Sequence, residues 1–126
     1  MKGKFVKKLV KATTTNKQKA IVNHLLSEGH SASRINTTGI YKKELDAWIQ
    51  GGSRKGHSDI SGVLKTKQFA FGIPFYIEGK FTKTDELSDE QIEFRDEVVA
   101  AGALYLECET LIDFYTWYER IKKLYL

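Results

Sequence analysis

The order of its patterned segments constrains this chain more than any single motif. Residues 16–28 set Ala20, Ile21, Leu25 and Leu26 at helical spacing, with Asn16 as an N-cap and Gly29 as a stop. Ser33 to Thr38 alternates as a strand, and the glycines Gly39, Gly51 and Gly52 bracket a loop or hairpin arm carrying Tyr41 and Trp48. Residues 59–65 and 68–81 read as two strands, the second interrupted near Gly72-Ile73-Pro74. Ser88 to Ala101 reads as a helix, Ala103 to Glu107 as a short strand, and Thr110 to Leu124 as a closing helix. Helix, strands, helix, strand, helix is a succession in which strands share a sheet and helices cover it. The expected class is therefore α/β, a mixed β-sheet core flanked by helices.

Size and charge narrow this further. A chain of 126 residues suits one domain with one core. No apolar stretch approaches the ~20 residues that span a bilayer, and the basic start lacks the continuous apolar segment of a secretory signal, so no membrane partner and a cytoplasmic residence are expected. The single Cys108 has no internal disulfide partner, in keeping with a reducing compartment. Residues 1–58 carry 12 Lys or Arg against 3 acids, and residues 59–126 carry 8 against 13. Seven lysines precede the first acid. The expected organisation is a basic N-terminal arm over residues 1–15, able to lie along a phosphate backbone, followed by one domain over 16–126. A solvated, poorly ordered tail is the bland alternative.

Within the two central strands lies a candidate catalytic set. Asp59 opens one apolar run, and Glu78 follows 19 positions later in Tyr76-Ile77-Glu78-Gly79-Lys80. Strand side chains repeat every two residues, so Glu78 and Lys80 leave one face, and the Gly79 carbonyl can add a ligand. Mg2+ is usually held by one or two carboxylates plus substrate phosphate. Asp59 and Glu78 fit such a minimal cage for Mg2+ or Mn2+, and Lys80 is suited to orienting water or neutralising transition-state charge. Each residue also has an ordinary explanation. Asp59 sits in turn composition, Gly56-His57-Ser58-Asp59. Glu78 and Lys80 could form a solvated same-face pair, and Ser88-Asp89-Glu90-Gln91 fits a capping box. His24, His30 and His57 show no metal-ligand spacing, so zinc is not expected. The aromatics from Phe114 to Tyr125 read as core or dimer interface rather than a base-stacking platform.

The elements Arg34-Ile35-Asn36, Gly51 to Ile60, Ile77-Glu78-Gly79-Lys80, Leu87-Ser88 with Gln91, and Ala101-Gly102-Ala103 occur in the order seen in VRR-NUC nucleases. Over roughly residues 17–118 the chain resembles the VRR-NUC branch of the PD-(D/E)XK, or restriction endonuclease-like, superfamily. The resemblance implies Asp59 and Glu78 as metal carboxylates with the Gly79 carbonyl, Lys80 as the catalytic lysine and Gln91 as the glutamine supporting the site. Arg34 and Asn36 match polar positions of the first strand, and Arg54-Lys55 belongs to a basic loop suited to DNA contact. The middle of the E-x-K element is usually bulky and apolar in the family and is Gly79 here. The family's first-helix glutamate has no counterpart among Thr14 to Gln18. The implied activity is a metal-dependent DNA endonuclease. Small stand-alone members resemble Holliday junction resolvases and act as dimers, so branched or duplex DNA and a second copy of the chain are the expected partners. The alternatives are a nucleic-acid-binding module that keeps the fold without chemistry, and a protein-interaction factor whose basic arm binds an acidic partner.

Overall fold

The computed structural model describes residues 2–35, 40–49, 54–81 and 86–126, with residues 2–13, 40, 41, 48 and 49 as backbone only. Asn36 and the Gly51-Gly52-Ser53 stretch lie outside the described residues. The first helix, α1, runs Lys2–Ser27, so the basic arm is a helical extension of the segment expected over 16–28. Asn16 lies inside it rather than capping it. Lys, Leu and Ala upstream are strong helix formers, and a cap residue ends a helix only where its neighbours do not favour continuing one. At the other end Gly29 takes φ +92°. His30 N donates to Leu25 O and Gly29 N to Leu26 O, both at 3.0 Å. This is the Schellman stop, which needs the left-handed backbone that glycine adopts without strain.

A main sheet holds β1 (Ser31–Arg34), β4 (Ile60–Leu64), β5 (Ile73–Gly79) and β6 (Leu104–Cys108) in the order β1-β4-β5-β6. The first two pairings are antiparallel and β5–β6 is parallel, joined by α2 (Asp89–Ala100). The mixed sheet flanked by helices that the segment order implies is thus present. Between β1 and β4 a small hairpin pairs β2 (Ile40–Lys42) with β3 (Ala47–Ile49), setting Tyr41 opposite Trp48. β5 is shorter than the run 68–81: residues 67–71 bend, and the ladder begins only at Ile73 opposite Leu64.

The core lies between the sheet and the α1/α3 layer, α3 being Leu111–Tyr125. Strand alternation sends Ile60, Leu64, Phe75 and Ile77 to that side, where they meet Ile21, Leu25, Phe114 and Tyr118. Full burial of a side chain such as Phe75 contributes roughly 1.5–3 kcal/mol. The aromatics of α3 divide accordingly: Phe114, Trp117 and Tyr118 are buried, while Tyr115 and Tyr125 are exposed. His30 ties this layer together. Its Nδ1 accepts from the Lys65 amide at 2.9 Å, which leaves the neutral ring's proton on Nε2, 2.8 Å from the Tyr118 hydroxyl. The opposite face of the sheet carries Asp59, Ser61 and Val63 along one strand, and Tyr76 and Glu78 along the next. On that face Phe94 of α2 packs edge-on against Tyr76.

Candidate active site

Register alone brings the two carboxylates together. Ile60 pairs with Ile77, so the residues one step beyond, Asp59 and Glu78, stand opposite each other at one end of the β4–β5 ladder. The Gly79 amide donates to Asp59 Oδ2 at 2.9 Å. Within a strand the N–H and C=O of one residue face the same edge, so the Gly79 carbonyl also faces Asp59's side. Lys80 leaves the face that Glu78 leaves, with Nζ 3.6 Å from Glu78 Oε1.

The fourth member arrives on α2. Ser88 caps that helix, accepting from Gln91 N at 3.2 Å, and Gln91 Oε1 accepts from Ser88 N at 2.9 Å. The same Oε1 accepts from Lys80 Nζ at 3.1 Å, and Gln91 Nε2 donates to Glu78 Oε1 at 2.9 Å. Capping and site support therefore do not compete. The amide has two ends, and its oxygen serves the cap and the lysine while its nitrogen holds the glutamate. Two donors on one side and an acceptor on the other fix which end is which.

Electrostatically the site is loaded. Glu78 is only 2% exposed, and its second oxygen, Oε2, is buried without a hydrogen-bond partner. Burial first, and the neighbouring Asp59 charge second, push its carboxyl up to about 7. Burial raises Asp59 as well, against the Gly79 amide and Lys80, which pull it down. Two carboxylates drawn out of water and facing each other hold more negative charge than Lys80 offsets, an arrangement that a divalent cation relieves. Asp59, Glu78 and the Gly79 carbonyl are the groups able to hold one. Among the described residues no cluster of three His, Cys, Asp or Glu side chains converges as a metal site.

Gly79 has a local explanation. A Cβ at this position would stand 2.5 Å from the Phe81 ring. Phe81 fills the space that a bulky residue 79 would take and packs against the core, while the Lys17 ammonium sits 5.1 Å from its ring centroid.

The expected DNA contacts are placed as follows. Arg34 ends β1, its Nε donating to Gln18 Oε1 of α1 at 3.0 Å, and its charge reaches Asp59. Arg54 pairs with Glu97 and lies over the Phe94 ring, while Lys55 pairs with Glu90 at 3.1 Å. Both basic side chains are thus turned onto α2. Gly56 permits this docking: it takes φ +87°, and a Cβ there would meet the Glu90 carbonyl oxygen at 2.3 Å. His57 is half-buried, its ring 4.6 Å from that of Phe94.

Two neighbours escaped sequence reasoning. Tyr105 pairs with Tyr76 and Glu107 with Glu78 across β5–β6. Burial raises the Tyr105 hydroxyl above its usual range, with the Glu78 and Glu107 charges adding to the effect. Only the parallel register of β6 could have revealed either, and that register has no local signature in sequence. No family model, curated protein or solved structure matches this chain.

Proposed function

We propose that the protein is a divalent-metal-dependent endonuclease that hydrolyses phosphodiester bonds in DNA, with a restriction endonuclease-like use of its sheet. The observation that carries this reading is the buried, unpartnered Glu78 Oε2 beside Asp59, with Lys80 3.6 Å from the other oxygen. Buried carboxylate oxygens are ordinarily hydrogen-bonded, so an oxygen without a protein partner is open to a further ligand. Asp59 and Glu78 would hold Mg2+ or Mn2+ together with the Gly79 carbonyl. A divalent cation, when bound, supplies Lewis-acid polarisation of the phosphoryl oxygen and neutralises charge on it.

The chain's own residues do the rest. Lys80 presents an ammonium at the mouth of the carboxylate pair, where it donates to a phosphate oxygen or orients the attacking water. Gln91 keeps Lys80 and Glu78 from collapsing into a closed ion pair by bonding both. Burial keeps the local dielectric low, so these charges act strongly at short range. By its resemblance to resolvase-like enzymes, the reading extends to branched DNA and a homodimer.

The test is cleavage of labelled four-way junction, flap, single-stranded and duplex DNA with Mg2+, Mn2+ or EDTA, alongside Asp59→Ala and Lys80→Ala. Metal-dependent cutting lost in both variants is the expected result. A second reading, a binding module without chemistry, draws on the absence of a third converging carboxylate among the described residues. Salt-dependent binding with no cutting in either metal would favour it.

A further inference from the structure

The loop joining β4 to β5 carries an aromatic pair that the candidate active site does not use. Phe69 and Phe71 are 52% and 69% exposed, and their rings lie 5.3 Å apart at 10°, stacked on each other in solvent. Single exposed apolar side chains are ordinary; two exposed phenyl rings stacked on each other on one loop are not. The segment Lys65-Thr66-Lys67-Gln68-Phe69-Ala70-Phe71 holds two lysines and no acid. Among the described residues neither lysine ammonium has an acidic partner, whereas Arg54, Lys55, Lys80 and Lys122 each have one. The loop base is anchored. Thr66 is buried, donates to the Tyr125 carbonyl at 3.1 Å and accepts from the Gln68 amide at 3.0 Å. Gly72 closes the loop against Val63, a missing Cβ there being 2.4 Å from Val63 Cγ1. Val63 leaves the sheet on the face that Asp59 and Ser61 leave.

We propose that this loop is a second nucleic-acid contact, in which Phe69 and Phe71 stack on unpaired bases while Lys65 and Lys67 take the flanking phosphates. The proposal rests on the nucleic-acid substrate inferred above and names its class, a strand with unstacked bases such as a flap, an end or the open centre of a branch. Every base has a π-face, so a pair of parallel rings accepts any sequence, and free lysines supply the backbone term. Asp59 and Lys65 flank β4, six residues apart, which at ~3.3 Å per residue of extended chain is about 20 Å. Successive phosphates of an unpaired, unstacked strand lie farther apart than the ~3.4 Å axial rise of a B-form duplex, so fewer than about six nucleotides span that distance. A strand gripped by the loop has that distance to cover to the carboxylates at the far end of the sheet.

The experiment is anisotropy binding in EDTA, where nothing is cleaved, to single-stranded, flap and fully paired duplex DNA over a salt series. Phe69→Ala/Phe71→Ala should lower affinity for single-stranded and flap DNA roughly thirtyfold or more and for duplex less than threefold. Phe69→Leu/Phe71→Leu keeps apolar surface without a π-face and should lose nearly as much. Lys65→Ala/Lys67→Ala should reduce the single-strand slope of log K against log salt by roughly 1.4, from about 0.7 per phosphate contact. The rings are exposed, so thermal melts of the variants should match the parent. Full retention of single-strand affinity in the alanine variant overturns the proposal and leaves the nuclease reading standing. Rescue by leucine, or a drop in light-scattering mass in the alanine variant, overturns it in favour of a protein interface. Failure of the parent to bind any DNA at low salt removes both readings.

Discussion

Replacing Glu78 by Gln should make the protein more stable and inactive at once. The carboxyl sits at about 7 in the folded chain against an ordinary 4.5. Below pH 4.5 it is protonated in folded and unfolded chains alike. Between 4.5 and about 7 the folded chain retains a proton that the unfolded chain has lost, so stability falls as pH rises. Above that interval the whole penalty applies, about 1.4 kcal/mol per pH unit across the gap, or about 3 kcal/mol. Glutamine keeps the acceptor for Gln91 Nε2 and offers Asp59 an N–H in place of a second negative oxygen. Its advantage should be small at pH 5 and reach about 3 kcal/mol by pH 8.5, or roughly 10 °C for a domain of this size. Thermal or denaturant unfolding in EDTA at both pH values measures it. Saturating Mg2+ or Mn2+ should stabilise the parent at pH 8.5 and leave Glu78→Gln unmoved. A variant no more stable than the parent at pH 8.5 without metal would refute the claim that Glu78 is held against its own charge.

Because Glu78 must be ionised to hold a cation, metal affinity and cleavage should both rise as pH is raised through about 7, readable by Mn2+ titration calorimetry and initial rates. Gln91→Ala should lose helix capping and site support together, costing about 1 kcal/mol of stability and at least tenfold in cleavage. Ser88→Ala should match it in unfolding experiments while largely keeping activity. Gly79→Ala pushes into the Phe81 ring at 2.5 Å and should cost roughly 1–3 kcal/mol of stability. Combining it with Phe81→Leu should recover part of that loss in the same melt.

Much of this molecule was legible from pattern because its strongest signals are local. The capping box at Ser88 and the Gly29 stop mark helix ends through bonds spanning a few residues. The E-x-K spacing placed Glu78 and Lys80 on one face because pleating allows nothing else. What could not be read was non-local or permissive. Nothing in Lys2 to Thr15 forbids helix, and nothing there demands it, so the extension of α1 was missed. The end of β5 at Ile73 depends on where Leu64 offers it a partner, and Arg54 and Lys55 looked free because their partners Glu97 and Glu90 on α2 lie 43 and 35 residues away in sequence. Gln91 looked like a residue with two rival duties until the fold gave its two amide ends separate partners.

That division of one amide has a dynamic consequence. Helix ends fray readily, and the first turn of α2 can open only by releasing Gln91 from Ser88, Lys80 and Glu78 together. The opening rate of that turn is then tied to the charge state of the carboxylate pair. Amide exchange at Gln91 and Ile92 becomes a clock for the site, quickening when protonation of Glu78 weakens the charge-assisted bond it accepts from Gln91.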